Sequence, residues 1–169
     1  MFGCVTLGLV NMSRNESSMG ENEAAGVIAR CRGVLERWRG KGILAVYVYG
    51  SILGPRHRSD SDVDLAVLDQ RNEPLRWTEQ SMLMDEFERA IRMPVDLRML
   101  RDCTLSHQAH ILEHGELVWI TDKAAVDEFA RDVLTRYASH RERTKHVWSS
   151  TLRDLMSSLM ASHEPRLPR

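Results

Sequence analysis

Apolar residues recur along this chain with two different periods, and the alternation between them sets out the elements. Ala24, Val27, Ile28, Cys31, Val34, Leu35 and Trp38 fall at helical spacing and predict an amphipathic first helix, which Gly40 and Gly42 end. Ile43 to Tyr49 is a continuous β-branched and aromatic run, the pattern of a strand buried on both faces. A second strand is expected from Asp62 to Leu68. It leads through a turn at Gln70 to Pro74 into a helix from about Leu75 to Arg92, with Leu83, Phe87, Ala90 and Ile91 as its buried stripe. Pro94 closes that helix and opens a short third strand around Asp96, at a first or edge position. Leu105, Ala109 and Leu112 predict a short helix ended by Gly115, and Leu117 to Ile120 a further strand. From Ala124 the pattern is helical to about Met160, with a polar stretch, Ser139 to His146, where the helix is expected to break or leave the body.

Strands and helices are interleaved, which predicts an α/β (α+β) fold: a small mixed β-sheet packed by helices, with a long C-terminal helix. At 169 residues, 43% hydrophobic and 28% charged, the chain has the length for one compact core. The expected organisation is a flexible tail over 1–22, a single domain with a C-terminal helical extension over 23–160, and a disordered tail over 161–169 containing Pro165 and Pro168. Met1 to Met12 is apolar, but it is too short to span a bilayer and lacks the basic start of a signal peptide. It reads as a disordered tail or as residues ahead of a true start at Met12 or Met19. Cys4, Cys31 and Cys103 are far apart and form no Cys-x-x-Cys, which fits isolated thiols in a reducing compartment. A cytoplasmic protein with no membrane association is the expectation. The formal charge of −1 gives no global attraction to duplex nucleic acid.

The chemistry is concentrated around the first two strands. Gly50 ends the first one, where a residue without a Cβ lets the backbone approach a ligand, and the Ser51 hydroxyl and following amides can donate to phosphate oxygens. The loop from Ile52 to Ser61 carries Gly54, Pro55, Arg56 and Arg58, and its two arginines are candidates for holding phosphates. Asp62-Val63-Asp64 follows, and alternate residues of a strand share a face, so Asp62 and Asp64 should converge. A solvated acidic pair is the plain alternative, and Asp60 could be ordinary loop charge. Asp96 lies in another apolar run, and if its strand neighbours the second one, about 4.8 Å away, the three carboxylates line one site. Oxygen-only ligands of this kind favour Mg²⁺, completed by water and substrate phosphates. Two ions roughly 3.5 to 4 Å apart would activate an attacking oxygen and stabilise a leaving pyrophosphate. Asp62, Asp64 and Asp96 are thus candidate metal ligands and catalytic residues, with Asp96 the candidate proton acceptor.

Tyr49-Gly50-Ser51 through Ser61-Asp62-Val63-Asp64-Leu65-Ala66-Val67 resembles the signature of the DNA polymerase β-like nucleotidyltransferase superfamily, at the spacing of its minimal members. Pro94-Val95-Asp96-Leu97 stands where that group has its third carboxylate strand. Ile111 to Trp119, followed by Asp122 to Ala130, resembles the ending of the MntA-type adenylyltransferase antitoxins. The resemblance covers roughly Ala24 to Leu155. It implies a nucleotidyltransferase fold, ATP as substrate, and transfer of AMP to a tyrosine hydroxyl of a partner HEPN-domain ribonuclease toxin. Leu53 departs from the pattern, because an Arg often precedes the Gly of this loop in such proteins; Arg56 or Arg58 could substitute.

Two other functions remain open: a small-molecule nucleotidyltransferase acting on an aminoglycoside-like hydroxyl, and a non-catalytic antitoxin that silences its partner by contact. His107, His110 and His114 fall on one helix face, a pattern more often solvated or hydrogen-bonded than metal-binding. Arg141 to His146 matches the Arg-x4-His nuclease motif of HEPN toxins, whose helical bundle this chain has no room for. Trp148, Leu152, Leu155 and Leu159 form a late apolar stripe, expected to dock a partner or a second copy as an oligomer contact. Tyr47 and Tyr49 read as packing residues of the buried strand.

Overall fold

The computed structural model describes the backbone of residues 11–54 and 61–161 and the side chains of 23–54 and 61–144. Helix α1 (Asn11–Arg37) precedes β1 (Ile43–Tyr49), and a 3-10 turn over Gly50–Leu53 follows that strand. Then come β2 (Val63–Asp69), α2 (Trp77–Ile91), β3 (Val95–Met99), α3 (Leu105–His114), β4 (Glu116–Ile120) and α4 (Lys123–Ala161). The strands form one mixed sheet in the order β3-β2-β1-β4. β1 is antiparallel to both β2 and β4, and β2 is parallel to β3, with α2 as the crossover between them.

Central position explains the run of apolar residues in β1, all seven of which are buried. On one face Val46, Val48, Leu65 and Val67 pack under Val27, Val34 and Leu35 of α1 and Leu83 and Phe87 of α2. On the other face Tyr47, Tyr49, Ala66 and Leu68 pack against Ile111 of α3 and Val126 of α4. Strand alternation thus feeds two separate apolar layers, the arrangement of helices on both sides of a small sheet.

Several boundaries differ from the sequence reading, each for a local reason. α1 is already helical at Asn11, where a flexible lead-in through Asn22 is expected; Met12, Arg14, Glu16, Met19 and Glu21 are sound helix formers. α2 starts at Trp77 instead of Leu75 because the Glu79 carboxylate reaches back to the start of the helix, accepting from the Arg76 N–H at 2.8 Å and from its guanidinium. It ends at Arg92, which takes the left-handed conformation with φ 64° ahead of Pro94. α4 continues through Ser139 to His146, where it is expected to break or leave the body, and it does not break. Polarity alone does not end a helix: this stretch has no Gly or Pro. The polar face is instead exposed from Ala138 to Arg143, beyond the last buried residue, Val133. The side chains of Trp148, Leu152, Leu155 and Leu159 lie outside the described residues, as do residues 1–10 and 162–169.

Candidate active site

β1 and β2 run antiparallel so that Tyr49 is paired with Asp64, and β2 and β3 run parallel so that Asp64 is paired with Asp96. Three neighbouring strands therefore present Tyr49, Asp64 and Asp96 side by side across the sheet, on the face that α3 partly covers. Asp62 is exposed and sits one residue ahead of β2, whose first residue is Val63 rather than Asp62. Asp64 and Asp96 thus lie side by side at one end of the sheet, with Asp62 just outside the strand at the same end.

Their charges are felt mutually. Burial pushes the Asp64 carboxyl above its ordinary value, and repulsion from Asp96 and Asp62 adds to this, while Arg98 and His107 oppose it. Tyr49 is pushed up to about 12, chiefly by burial and then by the negative charge of Asp64. Its hydroxyl is buried and has no hydrogen-bond partner among the described residues. The His107 ring stands edge-on to Tyr49, with centroids 5.5 Å apart, which brings the first turn of α3 over the carboxylates.

Gly50 is required by this packing. Its φ is +79°, a conformation side chains rarely adopt, and a Cβ added there would fall on Oδ2 of Asp64 and lie 3.0 Å from its Cγ. The glycine makes room for a carboxylate as much as for a ligand. Ser51 follows in the 3-10 turn, half-buried, and the turn closes when the Gly54 N–H donates to the Ser51 carbonyl at 3.0 Å. Leu53 is part of the apolar layer under α1 and α2, so it has no role toward phosphate. Arg56, Arg58 and Asp60 lie outside the described residues.

The sequence reading missed Arg98. Its Nε and Nη2 donate to Oδ2 of Asp96 at 2.9 and 2.7 Å. The signal was present, since Asp96 and Arg98 are two apart on a strand and share a face. As they stand, no three His, Cys, Asp or Glu side chains among the described residues come close enough together to hold an ion, Asp96 being turned to Arg98. The donor set nevertheless suits a hard cation, because it consists of carboxylate oxygens from adjacent strands. The histidines of α3 have different surroundings: the His107 ring meets Tyr49, while His110 and His114 are exposed and stack on each other at 4.7 Å.

A carboxylate of a different kind ends β2. Asp69 is buried and accepts a hydrogen bond from the Leu75 N–H at 2.9 Å, with Arg101 3.7 Å away and bonded to the Asp69 carbonyl. It ties the turn after β2 to the segment after β3 and is structural.

Comparison with known proteins agrees with this geometry. No curated protein matches the sequence. Among solved structures, the chain is similar to one of a toxin-antitoxin with AMP-PNP, at 20% identity and a TM-score of 0.59, covering 74% of this chain and 98% of that one. It is similar also to one of the toxin-antitoxin MntA-HepT, at 18% identity and a TM-score of 0.54, covering 73% and 97%. A third is a tri-AMPylated Shewanella oneidensis HEPN toxin in complex with MNT antitoxin, at 18% identity and a TM-score of 0.52, covering 79% and 98%. At these identities the likeness is one of fold. Residues 36–124 match the family described as Polymerase beta, Nucleotidyltransferase, more than half of the chain, and with the Gly-Ser turn and paired carboxylates inside that span, the protein belongs to this nucleotidyltransferase family.

Proposed function

We propose that this nucleotidyltransferase is the antitoxin of a toxin–antitoxin pair and transfers AMP from ATP to a tyrosine hydroxyl of a HEPN-domain toxin, in a Mg²⁺-dependent reaction. The observation that carries the reading is the pairing of Asp64 with Asp96 across β2 and β3, against a Gly50 that only a glycine can occupy. The structures that share the fold support it: one is a toxin-antitoxin with AMP-PNP and another a tri-AMPylated HEPN toxin with MNT antitoxin.

In this reading Asp62, Asp64 and Asp96 hold two Mg²⁺ ions, which supply charge neutralisation for the triphosphate and the leaving pyrophosphate. Gly50 and Ser51 receive phosphate oxygens, with Arg56 and Arg58 as further contacts from the loop. The tyrosine oxygen attacks the α-phosphorus, the bond from that phosphorus to the bridging oxygen of pyrophosphate breaks, and Asp96 accepts the tyrosine proton. The partly buried position of Asp64 strengthens these electrostatic interactions relative to open water. The protein acts in the cytoplasm. It engages neither membrane nor duplex nucleic acid, and α4 beyond the body is the surface offered to the partner or to a second copy. No described helix is long and apolar enough to cross a membrane.

The test is incubation of the protein with α-labelled ATP, Mg²⁺ and the protein encoded beside it, with the Asp62→Asn/Asp64→Asn variant as control. Label on the partner in the wild type alone is the expected result. Retained binding without label would identify a steric antitoxin, a reading that Leu53 favours because it packs into the core where an arginine often stands. Label on an added aminoglycoside would identify a small-molecule enzyme instead.

A further inference from the structure

Arg98 is the one cation seen bonded to the carboxylate cluster among the described residues. Two of its nitrogens converge on a single oxygen of Asp96, and it also offsets the repulsion that raises the Asp64 carboxyl. The pair is open to solvent, with Arg98 50% and Asp96 39% exposed, so the guanidinium can leave without disturbing the core. A divalent ion bound by Asp96 and Asp64 would bring positive charge to the place where Arg98 now supplies it.

We propose that Arg98 is a built-in competitor for the metal site: it holds Asp96 in the empty protein, lowers the affinity for a divalent cation alone, and is displaced when the ion enters. The inference rests on the metal-dependent reading above and adds a regulatory step to it. An enzyme that binds its metal weakly until a triphosphate helps to hold it is kept from assembling a reactive site without nucleotide. Arg98 is a positioning residue, acting through Asp96.

Binding of Mn²⁺ to the full chain without nucleotide, followed by electron paramagnetic resonance, tests this with Arg98→Gln, Arg98→Lys and Asp64→Asn. An exposed ion pair contributes little and is screened by solvent, so Arg98→Gln should bind Mn²⁺ up to about fivefold tighter than wild type. Arg98→Lys, which keeps the charge and loses the two-pronged contact, should fall between them. With ATP present the difference should shrink, because nucleotide phosphates then contribute to holding the ion. Equal or weaker binding by Arg98→Gln would overturn the proposal, as would Arg98→Lys behaving like wild type, since charge at a distance would then explain everything. If wild type and Arg98→Gln bind no more Mn²⁺ than Asp64→Asn does, the metal reading of the site fails and takes the proposal with it.

Discussion

At one end of β2 stands Asp64 and at the other Asp69, two aspartates five residues apart whose carboxyls are both pushed up by burial. Asp69 is met by the Leu75 N–H and by Arg101, groups that stabilise its charge. Asp64 is met by Asp96 and Asp62, groups that oppose it. The same strand thus carries one carboxylate bonded to groups that stabilise its charge and one crowded by like charges that Arg98 and His107 oppose. A fold gains nothing from the second arrangement, and that imbalance is the mark of a site built for a ligand rather than for stability.

Exchanging the roles of these two residues is the way to break the comparison. Asp64→Asn should lower AMP transfer by at least about 10³-fold, read as label incorporated per minute, because a charge that acts on the transferred phosphate is gone. Gly50→Ala should be nearly as damaging, since its methyl group falls on the Asp64 carboxylate; here a lowered Tm should accompany the loss. Asp69→Ala should do the reverse. It leaves the buried Leu75 N–H without its acceptor, which costs about 1 to 3 kcal/mol in urea unfolding while transfer at low temperature persists.

The stability effect of Asp64→Asn is smaller and of opposite sign. A carboxyl that holds its proton more tightly in the folded than in the unfolded chain favours the fold at low pH. That contribution is lost as pH rises from about 3.9 through the higher folded value. Asp64 is such a group, so the variant should be more stable than wild type at pH 7, by about 1 to 3 °C in Tm, and the gap should close toward pH 4. A gap that widens on acidification would show that Asp64 is stabilised by its neighbours. Tyr49→Phe is the mildest change: the hydroxyl has no partner among the described residues, so its loss should leave stability unchanged or slightly raised.

Much of this was legible in the residues. The buried run of β1, the glycine at its end and the alternation in Asp62-Val63-Asp64 follow from local rules, and the parallel pairing that sets Asp96 beside Asp64 was a conditional expectation that the sheet order meets. Long-range partners were not legible in the same way. Nothing near Tyr49 in the sequence indicates that it is paired with Asp64, because that pairing is decided by the antiparallel register of β1 and β2. Asp69 follows directly on the expected second strand with no local sign of a role, which depends on Leu75 and on Arg101, 32 residues away. Of the two expectations for Ser139 to His146, a break or a departure from the body, the break does not occur, because helix ends are set by Gly, Pro and capping groups and not by charge density.

The central claim is that the carboxylates at this end of the sheet modify the partner chemically, and the mass of that partner decides it. When the HEPN protein is co-produced with the wild-type chain, its intact mass should rise by one or more AMP groups carried on tyrosine, and co-production with Asp64→Asn should leave the mass unchanged. A partner that is bound and silenced by both chains while its mass stays unmodified would contradict the account.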